Sequence, residues 1–158
     1  MFIIARAVVY ATLFIGFFLV FVPARVLTSS GIVAPPTFGP WQAAGMLLAV
    51  AGTALALSCV LTFALVGKGT PAPFDPPRRL VVRGPYRFVR NPMYIGAALA
   101  MTGAAIYYRS VALLAYVGVF LLVTHLFVLA YEEPTLRRTF GNDYDAYCAS
   151  VGRWWPGR

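Results

Sequence analysis

Charged residues and metal-binding side chains are scarce in this sequence. Of 158 residues, 11% are charged, and the chain has five Asp and Glu, one histidine and two cysteines. Cys59 lies within an apolar run and Cys148 lies near the C-terminal end, so they predict neither a disulfide framework nor a metal site. Hydrophobic residues make up 60% of the chain, with 12 Phe, 9 Tyr and 3 Trp, which is far from the composition of a soluble domain. The sequence therefore predicts an integral membrane protein.

Four apolar stretches predict an all-α, polytopic protein with one domain, residues 1–158. The stretches are residues 3–22, 41–66, 93–108 and 111–131. Because a helix needs roughly 20 residues to cross a bilayer, we expect the short third helix to be tilted or covered by its neighbours. The first stretch begins like a secretory signal, but its apolar run is longer than such signals carry, and we interpret it as a retained helix.

Residues 1–66 are predicted to be scaffold helices, and residues 67–158 are predicted to carry the functional site. Gly45, Ala49, Gly52 and Ala56 place small residues along the second helix at spacings of three and four. Small residues in a membrane helix let a neighbouring backbone approach closely. The second helix is thus expected to pack tightly against another helix.

The net charge of +8 is unevenly distributed along the chain. In a four-span arrangement, 11 of the 13 Lys and Arg residues lie on one side, and only Arg25 and Arg109 lie on the other. The positive-inside rule then places both termini and residues 67–91 in the cytoplasm, with the protein in a prokaryotic inner membrane. This distribution indicates membrane topology and contact with anionic lipids, not nucleic-acid binding. Trp41, Trp154 and Trp155 are typical of interfacial anchors.

The loop between the second and third stretches is basic and rich in proline. Residues 67–94, "GKGTPAPFDPPRRLVVRGPYRFVRNPMY", include six basic residues, the single acid Asp75 and six prolines, which stiffen the loop. At its end, Asn91 and Pro92 indicate a helix start, since Asn is favoured at the N-cap and Pro at the first helical position. Loops this long in small proteins are usually functional. We therefore predict that a ligand binds near this helix start.

Two adjacent glutamates end the fourth stretch. Because the turn at residues 109–110 is tight, the third and fourth helices must run side by side, and Asn91 must lie near Glu132 and Glu133. A helix start with nearby arginines favours a carboxylate, and a pair of glutamates favours amines, ribose hydroxyls or a cation. The ligand implied carries both kinds of group. The charge pattern equally allows the glutamates simply to pair with the loop arginines.

Apolar residues recur every three or four positions after the glutamates and predict an amphipathic C-terminal helix, which lies on the membrane or caps the bundle. They are Leu136, Phe140, Tyr144, Tyr147 and Val151. His125 lies two turns before Glu132 on the same helix face. It is either a proton shuttle or, as we favour, a hydrogen-bonded structural histidine.

The segments "RGPYRFVRNPMYIG" and "YEEPTLRRTFGNDYDAY", some forty residues apart, resemble a membrane methyltransferase superfamily. It includes isoprenylcysteine carboxyl methyltransferases and phosphatidylethanolamine N-methyltransferases, and the resemblance covers residues 78–156. It implies an enzyme that binds S-adenosylmethionine between the loop and the last helices and takes a lipid or prenylated substrate from the bilayer. "NPMY" and "YEEP" are similar to the phospholipid branch, whereas "FGNDYDAY" and the closing Arg153 and Pro156 are closer to the isoprenylcysteine branch. Both acceptor classes therefore stay open, as does the oligomeric state.

The resemblance also implies which residues bind the cofactor. The positions concerned are the family's cofactor loop with its aromatic residue, its Arg-His-Pro-x-Tyr motif and its first glutamate. In this sequence they are Arg79, Leu80, Val81, Tyr86, Arg90, Asn91, Pro92, Met93, Tyr94 and Glu132. Two positions depart from the isoprenylcysteine branch. Asn91 stands where that branch has histidine, and Val128 stands where it has arginine.

Methyl transfer from a sulfonium is a displacement that a dry, oriented site accelerates. A carboxylate acceptor needs no base, but an amine must first lose a proton, and Glu133 and Tyr94 are the nearest candidates for that base. Two other functions stay open on sequence alone. The first is a membrane reductase of the sterol-reductase type that uses NADPH, and the second is a non-catalytic membrane scaffold.

Overall fold

The computed structural model describes residues 9, 12–32, 36–67 and 79–157, and within these ranges the chain forms helices and no strand. The five helices are α1 (Thr12–Ser29), α2 (Pro40–Gly67), α3 (Pro92–Tyr108), α4 (Val111–Phe140) and α5 (Asn142–Ser150), and a 3₁₀ turn covers Gly84–Arg87. Part of the first predicted span and residues 68–78 of the proline-rich loop, with Lys68, Asp75 and Arg78, lie outside the described residues. The predicted all-α class is confirmed.

Three of the described helices, α1, α2 and α4, are long and apolar enough to cross a membrane. Helix α3 has 17 residues, which corresponds to a length of about 26 Å. This is slightly less than the roughly 30 Å of a bilayer core. The prediction of an integral membrane protein is confirmed, and the fourth span stays a prediction.

The predicted ends of the first and fourth spans are wrong, because neither helix stops before the proline that follows. Helix α1 continues past Pro23 to Ser29, and α4 continues past Pro134 to Phe140. In both helices a π-helical segment precedes the proline: Ile15–Phe21 lies before Pro23 in α1, and Val128–Glu132 lies before Pro134 in α4. A π turn is wider than an α turn and makes room for a proline ring that lacks an N–H group. The helices therefore pass their prolines without ending.

Helices α2 and α3 pack backbone against backbone through glycines. A Cβ atom added at Gly45 would lie 2.6 Å from the carbonyl oxygen of Gly103, and one added at Gly96 would lie 2.7 Å from the amide nitrogen of Ala56. Such distances leave no space for a side chain. The predicted close approach along the small residues of the second helix is confirmed, and its partner is α3.

Replacing Gly96 by alanine is therefore expected to force α2 and α3 apart and to lower the free energy of unfolding by about 1–3 kcal/mol. Gly118 in α4 is a matched control, because a Cβ added there meets nothing within 4 Å. Gly118→Ala is expected to leave stability unchanged or raise it by up to about 1 kcal/mol, since alanine favours helix. Thermal melting of the detergent-solubilised variants measures both effects, and equal melting points would contradict the packing.

Helices α3 and α4 run side by side, as predicted, because two residues connect them. Arg109 adopts a left-handed conformation with φ of 52°. The Oγ of Ser110 accepts a hydrogen bond from the amide of Leu113 and caps α4. Below this turn, buried residues of both helices form a core: Tyr94, Ala97, Ala98, Met101, Val117, Phe120 and Val128.

The predicted amphipathic C-terminal helix is two helices instead of one. Helix α4 reaches Phe140, Gly141 breaks the chain with φ of 51°, and α5 follows. Glycine adopts this positive φ without the penalty that a Cβ would bring. The predicted apolar residues still pack together, with Tyr144, Tyr147 and Val151 buried and Leu136 and Phe140 against them. The bend brings α5 back across the end of the bundle.

Candidate functional site

The ends of α3 and α4 meet, and a C-terminal strap, which we define as residues 152–155, crosses them. Asn91 stands at the N-cap position of α3, and Glu132 and Glu133 lie where the π-helical segment of α4 ends. Val89 and Gly152 form an isolated parallel bridge, and the amide of Arg90 donates to the carbonyl of Gly152 at 2.9 Å. The predicted meeting of the two helix ends is confirmed.

Glu133 lies between two arginines. The guanidinium of Arg153 donates from Nε to Oε1 at 2.6 Å and from Nη2 to Oε2 at 2.9 Å, and Nη1 of Arg90 donates to Oε1 at 3.0 Å. The side chains of Arg90 and Glu133 are only 12% and 10% exposed. The hydrogen bonds to Glu133 raise the pKa of Arg153 above its ordinary value. The group is thus a mostly buried carboxylate held by two cations.

Glu132 has a different environment from its neighbour. The hydroxyl of Tyr94 donates to its Oε2 at 3.1 Å. No lysine or arginine among the described residues forms an ion pair with Glu132. A carboxylate has about four acceptor positions, so Glu132 has capacity for further donors. Of the two glutamates, Glu132 is the one able to receive a ligand.

Arg90 has a buried donor atom without a partner among the described residues. Its Nη1 donates to Glu133 and also to Sγ of Cys148 at 2.8 Å. Its Nε is buried and has no hydrogen-bond partner within the part of the chain that the structure describes. Buried donors without partners are uncommon, since each costs the desolvation of a polar group. An anionic ligand beside Arg90 would satisfy this Nε.

These side chains border one small cavity of about 40 Å³. Six of the ten residues predicted to bind the cofactor line it: Leu80, Val81, Tyr86, Arg90, Asn91 and Glu132. The described lining is completed by Phe63, Val128, Glu133, Leu136, Tyr144 and Tyr147. A volume of this size holds a few water molecules. A nucleoside-sized ligand fits only if the walls separate.

The other four predicted residues do not line the cavity. Arg79 is exposed. Pro92 is fully buried at the start of α3, and Met93 packs against both the core below α3 and the cluster of Cys59, Val81 and Tyr86. Tyr94 reaches the cavity through its hydrogen bond to Glu132. The structure thus brings nine of the ten residues to one region and leaves Arg79 at the surface.

Asn91 marks a helix start, as predicted, but its side chain makes no capping hydrogen bond. Its Nδ2 instead donates to the carbonyl oxygen of Arg153 at 3.3 Å. Asn91 is buried, and its amide donor finds a partner in this carbonyl of the strap. The helix-capping role inferred from the sequence is therefore wrong for the side chain.

Asn91→Asp is expected to destabilise the fold by about 1–3 kcal/mol, because a carboxylate would face the Arg153 carbonyl without a proton to donate. Asn91→His, in contrast, is expected to be tolerated, since a ring N–H can replace the amide donor. Thermal melting of the two variants beside the parent checks the difference. A histidine variant as unstable as the aspartate variant would show that this donor is unimportant.

The sequence analysis missed the residues that close the site from the C-terminal side. Trp154 was interpreted as an interfacial anchor, but its Nε1 donates to Nδ1 of His125 at 3.0 Å, inside the bundle. Trp41 and Trp155 are exposed, as anchors would be. Tyr147 donates from its hydroxyl to the carbonyl of Tyr86 at 2.6 Å, and burial raises the pKa of Tyr147. Two signals for Arg153 were available in the sequence: its resemblance to the closing Arg of the isoprenylcysteine branch, and a glutamate pair that needed a cation.

Residues 40–143 match the family model described as phospholipid methyltransferase. This range is more than half of the chain and includes α2, α3, α4, the first motif and residues 131–143 of the second, so the resemblance found in the sequence is confirmed. No curated protein and no solved structure matches the chain.

Proposed function

Since the chain belongs to the phospholipid methyltransferase family, we propose that this membrane methyltransferase uses S-adenosylmethionine to methylate a lipid-type acceptor. One observation carries the proposal. Among the described residues, the buried Nε of Arg90 has no partner and Glu132 accepts only from Tyr94, and both side chains line the same cavity. The family match supports neither a reductase nor a non-catalytic scaffold.

The residues at the cavity fit the two ends of an amino-acid group. Arg90 would donate to the carboxylate of the cofactor, and the adjacent N-terminus of α3 carries a partial positive charge that favours the same anion. Glu132 would accept from the ammonium group or from the ribose hydroxyls. Leu80, Val81 and Tyr86 supply an apolar and aromatic wall for a base.

Bound at this site, the cofactor would supply a methyl group on a sulfonium for in-line displacement by the acceptor, leaving a neutral thioether. Because charge is neutralised in this step, a site that orients the reactants and excludes water accelerates it. Phe63, Val81 and Val128 contribute apolar wall to the cavity, which favours displacement of water when a ligand occupies it.

The acceptor determines whether the protein must also move a proton. A phospholipid amine loses a proton, and the hydrogen-bonded pair of Tyr94 and Glu132 can take it. An isoprenylcysteine carboxylate needs no such step. The predicted base Glu133 already binds two guanidinium groups, which favours a role in holding Arg90 at the cavity. The family description supports the phospholipid as acceptor.

Calorimetry of the purified protein with S-adenosylhomocysteine and with NADPH tests the cofactor. We expect the first to bind and the second not to bind; the reverse would indicate a reductase, and no binding of either would indicate a scaffold. The acceptor is tested by transfer of a radiolabelled methyl group to vesicles with phosphatidylethanolamine or to a prenylated cysteine. Arg138→Gln, an exposed substitution outside the cavity, controls for general effects of charge.

We further propose that the protein lies in a prokaryotic inner membrane with four spans and both termini in the cytoplasm, as the charge distribution predicts. Cysteines introduced at Thr37 and Asp143, both exposed, report the orientation once Cys59 and Cys148 are replaced by serine. A membrane-impermeant maleimide added to whole cells should label position 37 and not position 143. Labelling of both from outside would rule out four spans.

A further inference from the structure

One hydrogen bond joins the interior of the helix bundle to the C-terminal strap. The Nε1–H of Trp154 donates to Nδ1 of His125 at 3.0 Å, and the two ring centroids lie 6.0 Å apart. The Trp154 ring also packs against the core between α3 and α4, with its centroid 6.5 Å from that of Tyr94. Neither Trp154 nor His125 belongs to the described lining of the cavity.

We propose that His125 is a positioning residue for methyl transfer, because it holds the C-terminal strap in place through Trp154. The proposal rests on the proposed function and goes beyond it, since His125 is assigned an effect on a site that it does not touch. Its effect passes through the two residues that precede Trp154 in the strap.

Successive residues of the strap each bind one part of the site. Gly152 accepts a hydrogen bond from the amide of Arg90 through its carbonyl. Arg153 binds Glu133 with its guanidinium and Asn91 with its carbonyl. Trp154 is the next residue, so fixing its ring fixes the backbone that carries these contacts. Loss of the hydrogen bond to His125 would loosen Arg153 on Glu133 and, through Glu133, Arg90 at the cavity.

Close contacts around Gly152 restrict the backbone conformation of the strap. A Cβ added at Gly152 would collide with the carbonyl oxygen of Trp155 and would lie 2.7 Å from that of Gly157. The chain therefore folds back on itself directly after α5. This tight turn directs Trp154 toward α4, where His125 supplies the acceptor.

The hydrogen bond also determines the state of His125. An indole N–H only donates, so Nδ1 of His125 must be the unprotonated ring nitrogen and Nε2 must carry the hydrogen. A side chain that replaces His125 preserves the contact only if it offers an acceptor near the position of Nδ1. Asparagine does so with its Oδ1, and leucine does not.

Two variants of His125 and a control on the same helix test the proposal. His125→Leu is expected to weaken the binding of S-adenosylhomocysteine about 3- to 10-fold, as measured by calorimetry per folded molecule. His125→Asn is expected to restore binding close to that of the parent protein. Tyr116→Phe removes another hydrogen bond made by α4, from the Tyr116 hydroxyl to the carbonyl of Phe18 at 2.9 Å. This control should lower the melting point without changing the affinity.

Hydrogen exchange at the Arg90 amide gives a second readout that does not depend on the cofactor. This amide is bonded to Gly152, so it should exchange faster in His125→Leu and in Trp154→Phe, and at the parent rate in Tyr116→Phe. An unchanged exchange rate and an unchanged affinity in His125→Leu would overturn the positioning role alone. A parent protein that binds no S-adenosylhomocysteine would overturn the proposed function, and the positioning role with it.

Discussion

Substitution of Glu133 by glutamine is expected to lower the free energy of unfolding by about 3–5 kcal/mol. The amide keeps the volume of the carboxylate but not its charge, so the mostly buried guanidinium of Arg90 and the partly exposed one of Arg153 lose the charge that compensates them. Arg90 and the strap are then expected to shift, so that the affinity for S-adenosylhomocysteine also falls. Thermal or chemical unfolding beside calorimetry measures the two effects separately.

The ion pair between Arg137 and Asp145 gives a matched control. It has a similar distance, 2.8 Å, but both side chains are 54% exposed. Because water screens an exposed pair, Asp145→Asn should lower the free energy of unfolding by less than about 1 kcal/mol. Equal losses of stability in Glu133→Gln and Asp145→Asn would show that the buried pair does not hold the fold together.

Substitution of Glu132 by glutamine is expected to have a large effect on cofactor binding and little effect on stability. If Glu132 accepts a charged hydrogen bond from the cofactor, the substitution should weaken S-adenosylhomocysteine binding by about 1.5–3 kcal/mol. The fold should change little, because the recorded partner of Glu132 is the neutral hydroxyl of Tyr94 and a glutamine oxygen can still accept from it. Methyl transfer should fall together with the affinity.

Tyr94→Phe separates the hydroxyl from the carboxylate. It removes the donor to Glu132 but leaves the ring in the core and the carboxylate charge in place. We expect a smaller loss of affinity than in Glu132→Gln. If the acceptor is an amine, the loss of turnover in Tyr94→Phe should exceed its loss of affinity, since the hydroxyl would then relay the proton. A Glu132→Gln protein with parental affinity and a lowered melting point would assign Glu132 to stability alone.

Local signals predicted those parts of the fold that depend on neighbouring residues. The turn at Arg109 and Ser110 allowed only adjacent helices, and the small residues of α2 indicated a tight contact although not its partner. The predicted first and fourth stretches followed the apolar runs to residues 22 and 131, whereas the helices continue past Pro23 and Pro134. The π turns before Pro23 and Pro134 depend on tertiary packing, which no short stretch of sequence reveals.

The candidate site was predictable where a motif covers it and not where a distant segment closes it. Six residues of the loop and of the two helix ends were placed at the cavity from the sequence. Arg153 lies 20 positions after Glu133, and Trp154 lies 29 positions after His125. Such pairs follow from the bend at Gly141, which returns α5 and the strap to the bundle. The family match also ends at residue 143, before Arg153 and Trp154.

The small volume of the cavity bears on the rate of ligand exchange. With about 40 Å³ between the described residues, a nucleoside-sized molecule would require these walls to separate as it enters and leaves. The observed association rate then scales with the fraction of molecules that are open, and the apparent affinity is reduced by that fraction. In a reaction cycle the walls must open once for each product released, so opening is a candidate for the slowest step of turnover.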